Sequence, residues 1–230
     1  MGATDWTFFT GSLNQSVLDR GATAGITPPA GGGSHVYGFN SLEVVDGAVA
    51  LFADQVDFAP HAKGCRVSGA VQRGTSGGSI GFSTFLAACA QGTSVLDNAY
   101  MLGLSNSNPS KIVLAKGSME NGVPAPDSIQ VLRESDAAVA IADWEHLQLD
   151  VIVQLNGDVL LQMYRNDLDV NDVATPVFEA IPGMADFVDD QLGINSGSQP
   201  FTSGRSGFGF AASDTTRRGF VDHFFIARQT

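Results

Sequence analysis

The sequence predicts an all-β protein, a sandwich of two antiparallel sheets with one or two short helices in its loops. Three observations carry this. Glycine is abundant, at 27 of 230 residues, while charged residues make up only 16%. Turns are therefore frequent and charged helical faces scarce. The chain is 43% hydrophobic, enough for a sizeable core. Its clearest apolar pattern, over residues 147–163, alternates with the period of two that marks a half-buried strand.

The elements follow in order. DWTFF (5–9) reads as a first short strand. GATAGITPPAGGGS (21–34) is too rich in Gly and Pro to hold a regular element and should form an exposed loop able to reach a neighbour. HVYGFNSL opens the next strands, and VVDGAVALFA suggests a hairpin around Asp46-Gly47. GCRVSGAVQRG and SIGFSTFLAACA are strands bounded by glycines. AYMLGL (99–104) and KIVLAK (111–116) form a strand pair across the turn residues SNSNPS. GSMENGVPAPDS is turn-rich, and SIQVLRES continues the β pattern.

In WEHLQLDVIVQLNGDVLLQMY (144–164), Leu147, Leu149, Val151, Val153 and Leu155 alternate with polar residues, and Val159, Leu161 and Met163 alternate after the turn. A two-residue Asn156-Gly157 loop would put Gln162 on the apolar face. An odd loop, Asn156 to Asp158, pairs Leu155 with Val159, Val153 with Leu161 and Val151 with Met163, so the odd-length loop or a bulge is preferred. Residues 165–199 are irregular and acidic, with a short helix near 179–190 and a role in contacts. GRSGFGFAA and GFVDHFFIAR close the chain as a hairpin across SDTTRR. The length fits one large β domain or two small ones. No break in composition appears, so residues 1–230 are read as a single domain.

Charge excludes some functions. The net charge is −12, with twelve Lys and Arg and no basic cluster beyond Arg217-Arg218. Nucleic-acid binding needs a cationic face, so none is expected. No apolar run is long enough to span a membrane, and the N-terminus lacks the basic-then-apolar pattern of a secretory signal. Cys65 and Cys89 are too few for a disulfide framework and read as two buried thiols of a protein made in a reducing cytoplasm.

Candidate chemistry is sparse. Asp222 and His223 are sequence neighbours, and neighbours in a strand point to opposite faces, so adjacency does not make them a pair. DLDVND (167–172) has Asp167, Asp169 and Asn171 at spacings a calcium loop uses, but Asp172 and Phe178 stand where an EF-hand needs Gly and Glu. It reads as a solvated acidic loop. HAKGC offers His61 and Cys65, short of the four ligands of a zinc site. TSGGS (75–79) lacks the Lys and helix of a phosphate loop. GRSGFG (204–209) misses a nucleophile elbow by one position and reads as close backbone packing. Trp6, Tyr37, Tyr100, Trp144 and Tyr164 are the aromatic platforms for a sugar ring, Trp144 being expected mostly buried. No catalytic, cofactor-binding or metal-binding residue is assigned.

WEHLQL (144–149), NGDVLL (156–161), GRSGFGF (204–210) and FVDHFFIAR (220–228) resemble the strand motifs of the concanavalin A-like lectin/glucanase superfamily, including laminin-G-like domains. The resemblance implies a jelly-roll sandwich and a structural role for Asp222. Glucanases of that group carry Glu-x-Asp-x-x-Glu on one strand, and alternation aims the carboxylates into the cleft. Here Gln148, Asp150 and Gln154 offer one carboxylate, so no enzymatic activity is expected. AYMLGLSNSNPSKIVLAKG (99–117), DDQLGINSGSQPF (189–201) and DHFFIARQT further resemble jelly-roll structural proteins of tailed bacteriophages. That likeness implies a non-enzymatic virion component, as head decoration, connector accessory or tail and fibre module. Its partners would be other virion proteins in a symmetric, multi-copy assembly. The alternative is a carbohydrate-binding adhesin that contacts a host glycan.

Overall fold

Alternating apolar residues leave this chain few options besides strands, and a computed structural model shows seventeen of them and no helix among the described residues. The structure describes residues 6–10, 14–19, 26–32, 35–40, 47–53, 63–73, 82–91, 98–117, 119–120, 123–124, 130–190, 199–212 and 218–228. In chain order the strands begin with β1 (Trp6–Thr10), β2 (Asn14–Asp19), β3 (His35–Asn40), β4 (Gly47–Ala53), β5 (Gly64–Arg73) and β6 (Phe82–Gln91). They continue with β7 (Asn98–Ser105), β8 (Ser110–Gly117), β9 (Met119–Glu120), β10 (Val123–Pro124), β11 (Gln130–Val139) and β12 (Trp144–Val153). The last are β13 (Val159–Asn166), β14 (Phe178–Ala180), β15 (Phe187–Asp189), β16 (Arg205–Ala212) and β17 (Arg218–Arg228).

One large sheet has the order β1-β4-β16-β6-β7-β8-β11, and the other β14-β13-β12-β5-β17-β3-β2, with β15 also on β13, while β9 and β10 pair as a separate two-stranded sheet. The pairings within both large sheets are antiparallel. Between them lies one core. Cys65, Val67 and Val71 of β5, Leu147, Leu149 and Val151 of β12, and Val159, Leu161 and Met163 of β13 face Leu86, Tyr100, Leu102, Leu104, Ile112, Leu114, Phe208 and Phe210 of the other sheet. Each fully buried Leu or Phe contributes about 1.5–3 kcal/mol through the apolar area it hides.

Several expectations need correction. The 144–164 hairpin has the odd loop parity the pattern demanded, with Val151 opposite Leu161 and Val153 opposite Val159, a register two residues from the one expected. The reason is Gly157, whose φ of 91 ends a tight turn that Gln154 and Asp158 close with a 2.9 Å hydrogen bond. Leu155 then falls at the turn and is fully exposed. The terminal strands are not a hairpin. β16 pairs β4 and β6, whereas β17 pairs β3 and β5 in the opposite sheet. Gly219 makes the crossover tight: a Cβ there would lie 2.3 Å from the Phe210 ring.

No short helix forms near 179–190. The buried Ile181, Met184 and Phe187 recur every three residues and so imitate a helical stripe. Pro182 and Gly183, at φ 83, instead make a tight turn in which the Met184 N–H donates to the Ile181 carbonyl at 3.0 Å. β14 and β15 flank this turn and cover the edge of β13. β4 has β1 on one side and β16 on the other; the turn and first arm of the hairpin expected around Asp46-Gly47 lie outside the described residues. The strand pair across SNSNPS forms as expected. No helix among the described residues is long and apolar enough to cross a membrane.

Candidate functional site

The outer face of the β14-to-β2 sheet carries polar rows where its inner face is core. Register alone builds them. Phe225 of β17 stands opposite Ser68 of β5, Ser68 opposite Gln148 of β12, and Gln148 opposite Tyr164 of β13. These four side chains form one row across four strands, with an aromatic ring at each end. Three strand spacings separate the ends by about 14 Å. Phe225 is 56% exposed and Tyr164 half-buried, while Ser68 and Gln148 are each 6% exposed, so the row dips between its rings.

Phe225 reaches this face through a bulge. β17 shifts register against β5 between Asp222 and Phe225, and His223 adopts φ 53. The Asp222 carboxylate accepts the His223 N–H at 2.8 Å, which holds the bulge. Asp222 and His223 are thus backbone machinery. The bulge moves Phe224 inward against Phe208, 4.9 Å between ring centroids, and turns Phe225 outward beside Ser68.

A second row runs parallel. Arg66 stands opposite Asp150, and Asp150 opposite Gln162. The Arg66 guanidinium donates two hydrogen bonds to Asp150, at 2.7 and 2.5 Å. Asp150, the one carboxylate among Gln148, Asp150 and Gln154, is thereby held by an arginine. Gln162 Nε2 donates to Asp186 at 2.8 Å.

A third row is closed. His146 is buried beside Asn166, whose Nδ2 donates to His146 Nδ1 at 3.2 Å and to the Asp172 carbonyl at 3.0 Å. The Phe178 ring meets the imidazole edge-on at 4.9 Å. Burial holds His146 down to a pKa of about 4, with the nearby His223 adding to the effect. A neutral imidazole that accepts from Asn166 satisfies this site.

At the end of the same strands, Trp144 borders a cleft of about 270 Å³ between residues 27–30 and Asp143, Glu145, Arg165 and Asp169. Trp144 is half-buried rather than mostly buried, and its Nε1–H donates to the Thr27 carbonyl at 2.8 Å. The described residues of the Gly/Pro loop, 26–32, thus touch the sandwich through Thr27 while Thr27, Ala30 and Gly31 stay exposed, and 21–25 and 33–34 lie outside the described residues. Val173 N–H also donates to its Ala30 carbonyl at 2.9 Å. Glu145, 4% exposed, lies 2.6 Å from Arg165 Nε, but the two atoms are not aligned as a hydrogen bond. Burial pushes the Glu145 carboxyl up to about 7, opposed by the Arg165 charge.

The remaining candidates resolve simply. Asp167 and Asp172 accept hydrogen bonds within their own loop, from Asp169 N–H at 3.0 Å and from Thr175 N–H at 2.6 Å. No group of three His, Cys, Asp or Glu with metal-binding placement occurs among the described residues. His61, Thr75–Ser79 and the Trp6 side chain lie outside the described residues. Tyr100 is fully buried and Tyr37 half-buried against Phe208, so neither is a platform. Gly204 confirms close backbone packing, since a Cβ there would lie 2.4 Å from the Ala90 carbonyl oxygen.

Several solved structures align over nearly the whole chain. A carbohydrate-binding module, CBM66 from Bacillus subtilis, aligns over 97% of this chain and 96% of its own, with TM-score 0.50 and 10% identity. A PL-14 alginate lyase from Aplysia kurodai aligns over 95% of this chain and 87% of its own, with TM-score 0.52 and 10% identity. The chain has the concanavalin A-like jelly-roll fold. No family model matches the sequence, and no curated protein matches it. At this identity the jelly roll alone is shared.

Phe225 was missing from the aromatic platforms read in the sequence. Strict alternation from Phe220 gives it the opposite face, and only the His223 bulge reverses that.

Proposed function

We propose that this jelly roll is a non-enzymatic carbohydrate-binding module that takes a short, neutral glycan across the outer face of the β12–β13 sheet. The row Phe225–Ser68–Gln148–Tyr164 carries the reading. Aromatic rings present apolar faces to the C–H faces of sugar rings, and the hydroxyl and amide between them can donate and accept to sugar hydroxyls. A net charge of −12 repels anionic polysaccharides, which favours a neutral ligand. The names of the two fold neighbours, a carbohydrate-binding module and an alginate lyase, agree with a carbohydrate ligand, and the neutral character rests on this chain's charge alone. Asp150 is engaged by Arg66 and Asp186 by Gln162, which supports binding without turnover.

The test is a glycan array followed by calorimetry on the full chain. Binding of a neutral oligosaccharide, lost in Tyr164→Ala and Phe225→Ala, is the expected result. No binding to any array glycan would overturn the reading, and conversion of a bound glycan to product would replace it with an enzymatic one.

The virion setting rests on sequence resemblance, over residues 99–117 and 189–201 and the terminal DHFFIARQT. We retain it as the setting in which such a module would act as an adhesin. The structural-component reading, with symmetric contacts to other virion proteins, makes a different prediction. Antibody label on phage shells would favour it, and label at tail tips would favour the adhesin.

A further inference from the structure

Cys65 lies on β5 of one sheet and Cys89 on β6 of the other, and their Sγ atoms face each other at 3.9 Å across the interior. Both side chains are buried, and both thiols are reduced. Strict alternation would not bring them together. Leu86 and Ala88 point into the core, so Cys89 should point away from it, yet Cys89 joins the same core. A bulge makes this so. β6 shifts register against β7 between Ala88 and Gln91, and Cys89 sits in the left-handed region at φ 54. A residue other than glycine costs of order 1 kcal/mol or more there, so surrounding structure must enforce it.

The neighbouring strand is cut to fit. Gly204, at φ 133, passes so close that a Cβ would lie 2.6 Å from the Cys89 carbonyl carbon. Ser206, two residues on, donates its hydroxyl to Cys65 Sγ at 3.6 Å. A strained bulge, a glycine that admits it and a hydroxyl donor all converge on one pair of sulfurs.

We propose that Cys65 and Cys89 are a built dithiol site that hydrogen peroxide oxidises to a disulfide joining the two sheets. Cys65 is the attacking sulfur. Its contact with Cys89 holds its thiol below the usual range, with Ser206 helping, while Cys89 is pushed well up. The Cys65 thiolate attacks one peroxide oxygen, the O–O bond breaks, and the departing hydroxide takes up a proton as water. Cys65 is then a sulfenic acid. The Cys89 sulfur attacks Cys65 Sγ, the S–O bond breaks, and the hydroxide leaves as water with the Cys89 proton. Two thiols lose two electrons in all, and one peroxide is reduced to two waters. The sulfurs need only close from 3.9 Å to the usual bond length of about 2.0 Å.

The test uses the full chain and an excess of hydrogen peroxide, followed by unfolding, thiol titration and peptide mapping. The expected result is loss of both thiols together, a linked Cys65–Cys89 peptide, and a melting temperature raised by several degrees until a reductant is added. In Cys89→Ser the Cys65 sulfenic acid should persist and be trapped by dimedone. Should that variant fail to fold, Cys89→Gly suits the left-handed backbone and serves the same purpose. Both thiols surviving in the wild type, or each carrying oxygen with no linked peptide, would overturn the proposal. The outcome is independent of glycan binding.

Discussion

Lys116 and Asp189 form a buried ion pair that ties β8 of one sheet to β15 of the other. Lys116 Nζ lies 2.6 Å from Asp189 Oδ2, with both side chains at most 5% exposed. Tyr100 donates its hydroxyl to the same oxygen at 2.5 Å and accepts the Phe201 N–H at 2.9 Å, and Lys116 also donates to the Gln199 carbonyl at 3.0 Å. β8 and β7 of one sheet are thus bound to β15 of the other. Removing one partner strands the other charge out of water. Lys116→Ala should cost about 3–5 kcal/mol in urea unfolding. The double variant with Asp189→Ala should cost clearly less than the sum of the two single changes. A loss under about 1 kcal/mol for Lys116→Ala would mean the pair is solvated.

Glu145 and His146 should make opposite contributions to pH stability. Glu145 rises from 4.5 to about 7 on folding, so the folded chain holds the extra proton and stability falls as pH climbs through that window. His146 falls from 6.5 to about 4, so the unfolded chain holds the extra proton and stability falls as pH drops through that window. Each window is worth about 3 kcal/mol. Between pH 4.5 and 6.5 the two slopes cancel. Glu145→Gln should therefore add a stability that increases with pH, and His146→Gln one that decreases, relative to the wild type. Urea midpoints across pH 4 to 8 measure both. Parallel curves for all three proteins would refute the buried states.

Tyr164 and Phe225 should act on binding and not on folding. Both are partly or largely exposed, so truncation to Ala should change stability by at most about 0.5 kcal/mol. Each should weaken the glycan by roughly tenfold, about 1.4 kcal/mol. The affinity should also be nearly the same at low and high salt, since no net charge is neutralised. Calorimetry at two ionic strengths checks this. A steep salt dependence would point to an anionic ligand instead.

Gly64 should tolerate no side chain. It opens β5 at φ 102, where a Cβ would lie 1.7 Å from the Val151 carbonyl oxygen. Gly64→Ala therefore combines a left-handed backbone with a backbone clash and should cost about 2–4 kcal/mol. Thermal unfolding measures it. An unchanged melting temperature would show that β5 can slide along β12.

Much of the fold was legible because it is local. Alternation from Leu147 to Met163 identified the inner face of two strands, and the turn residues of SNSNPS joined β7 to β8. The row that forms the candidate site was not legible. Each member comes from a different strand, and the pairing of β17 with β5 spans more than a hundred residues. Tyr164 could be named as an aromatic platform, but its neighbours Gln148, Ser68 and Phe225 follow only from register.

The sequence by itself determined that this chain makes strands, which faces are apolar, and that its net charge is −12. These follow from side-chain period and charge, which need no knowledge of neighbours. Tertiary structure decided which strand lies beside which, so that β16 and β17 part into opposite sheets. It also decided two reversals of alternation, at Cys89 and at His223, where a left-handed residue in a bulge turns the following side chains over. A single backbone torsion moves a side chain from one face to the other, and nothing in the residue's own chemistry announces it.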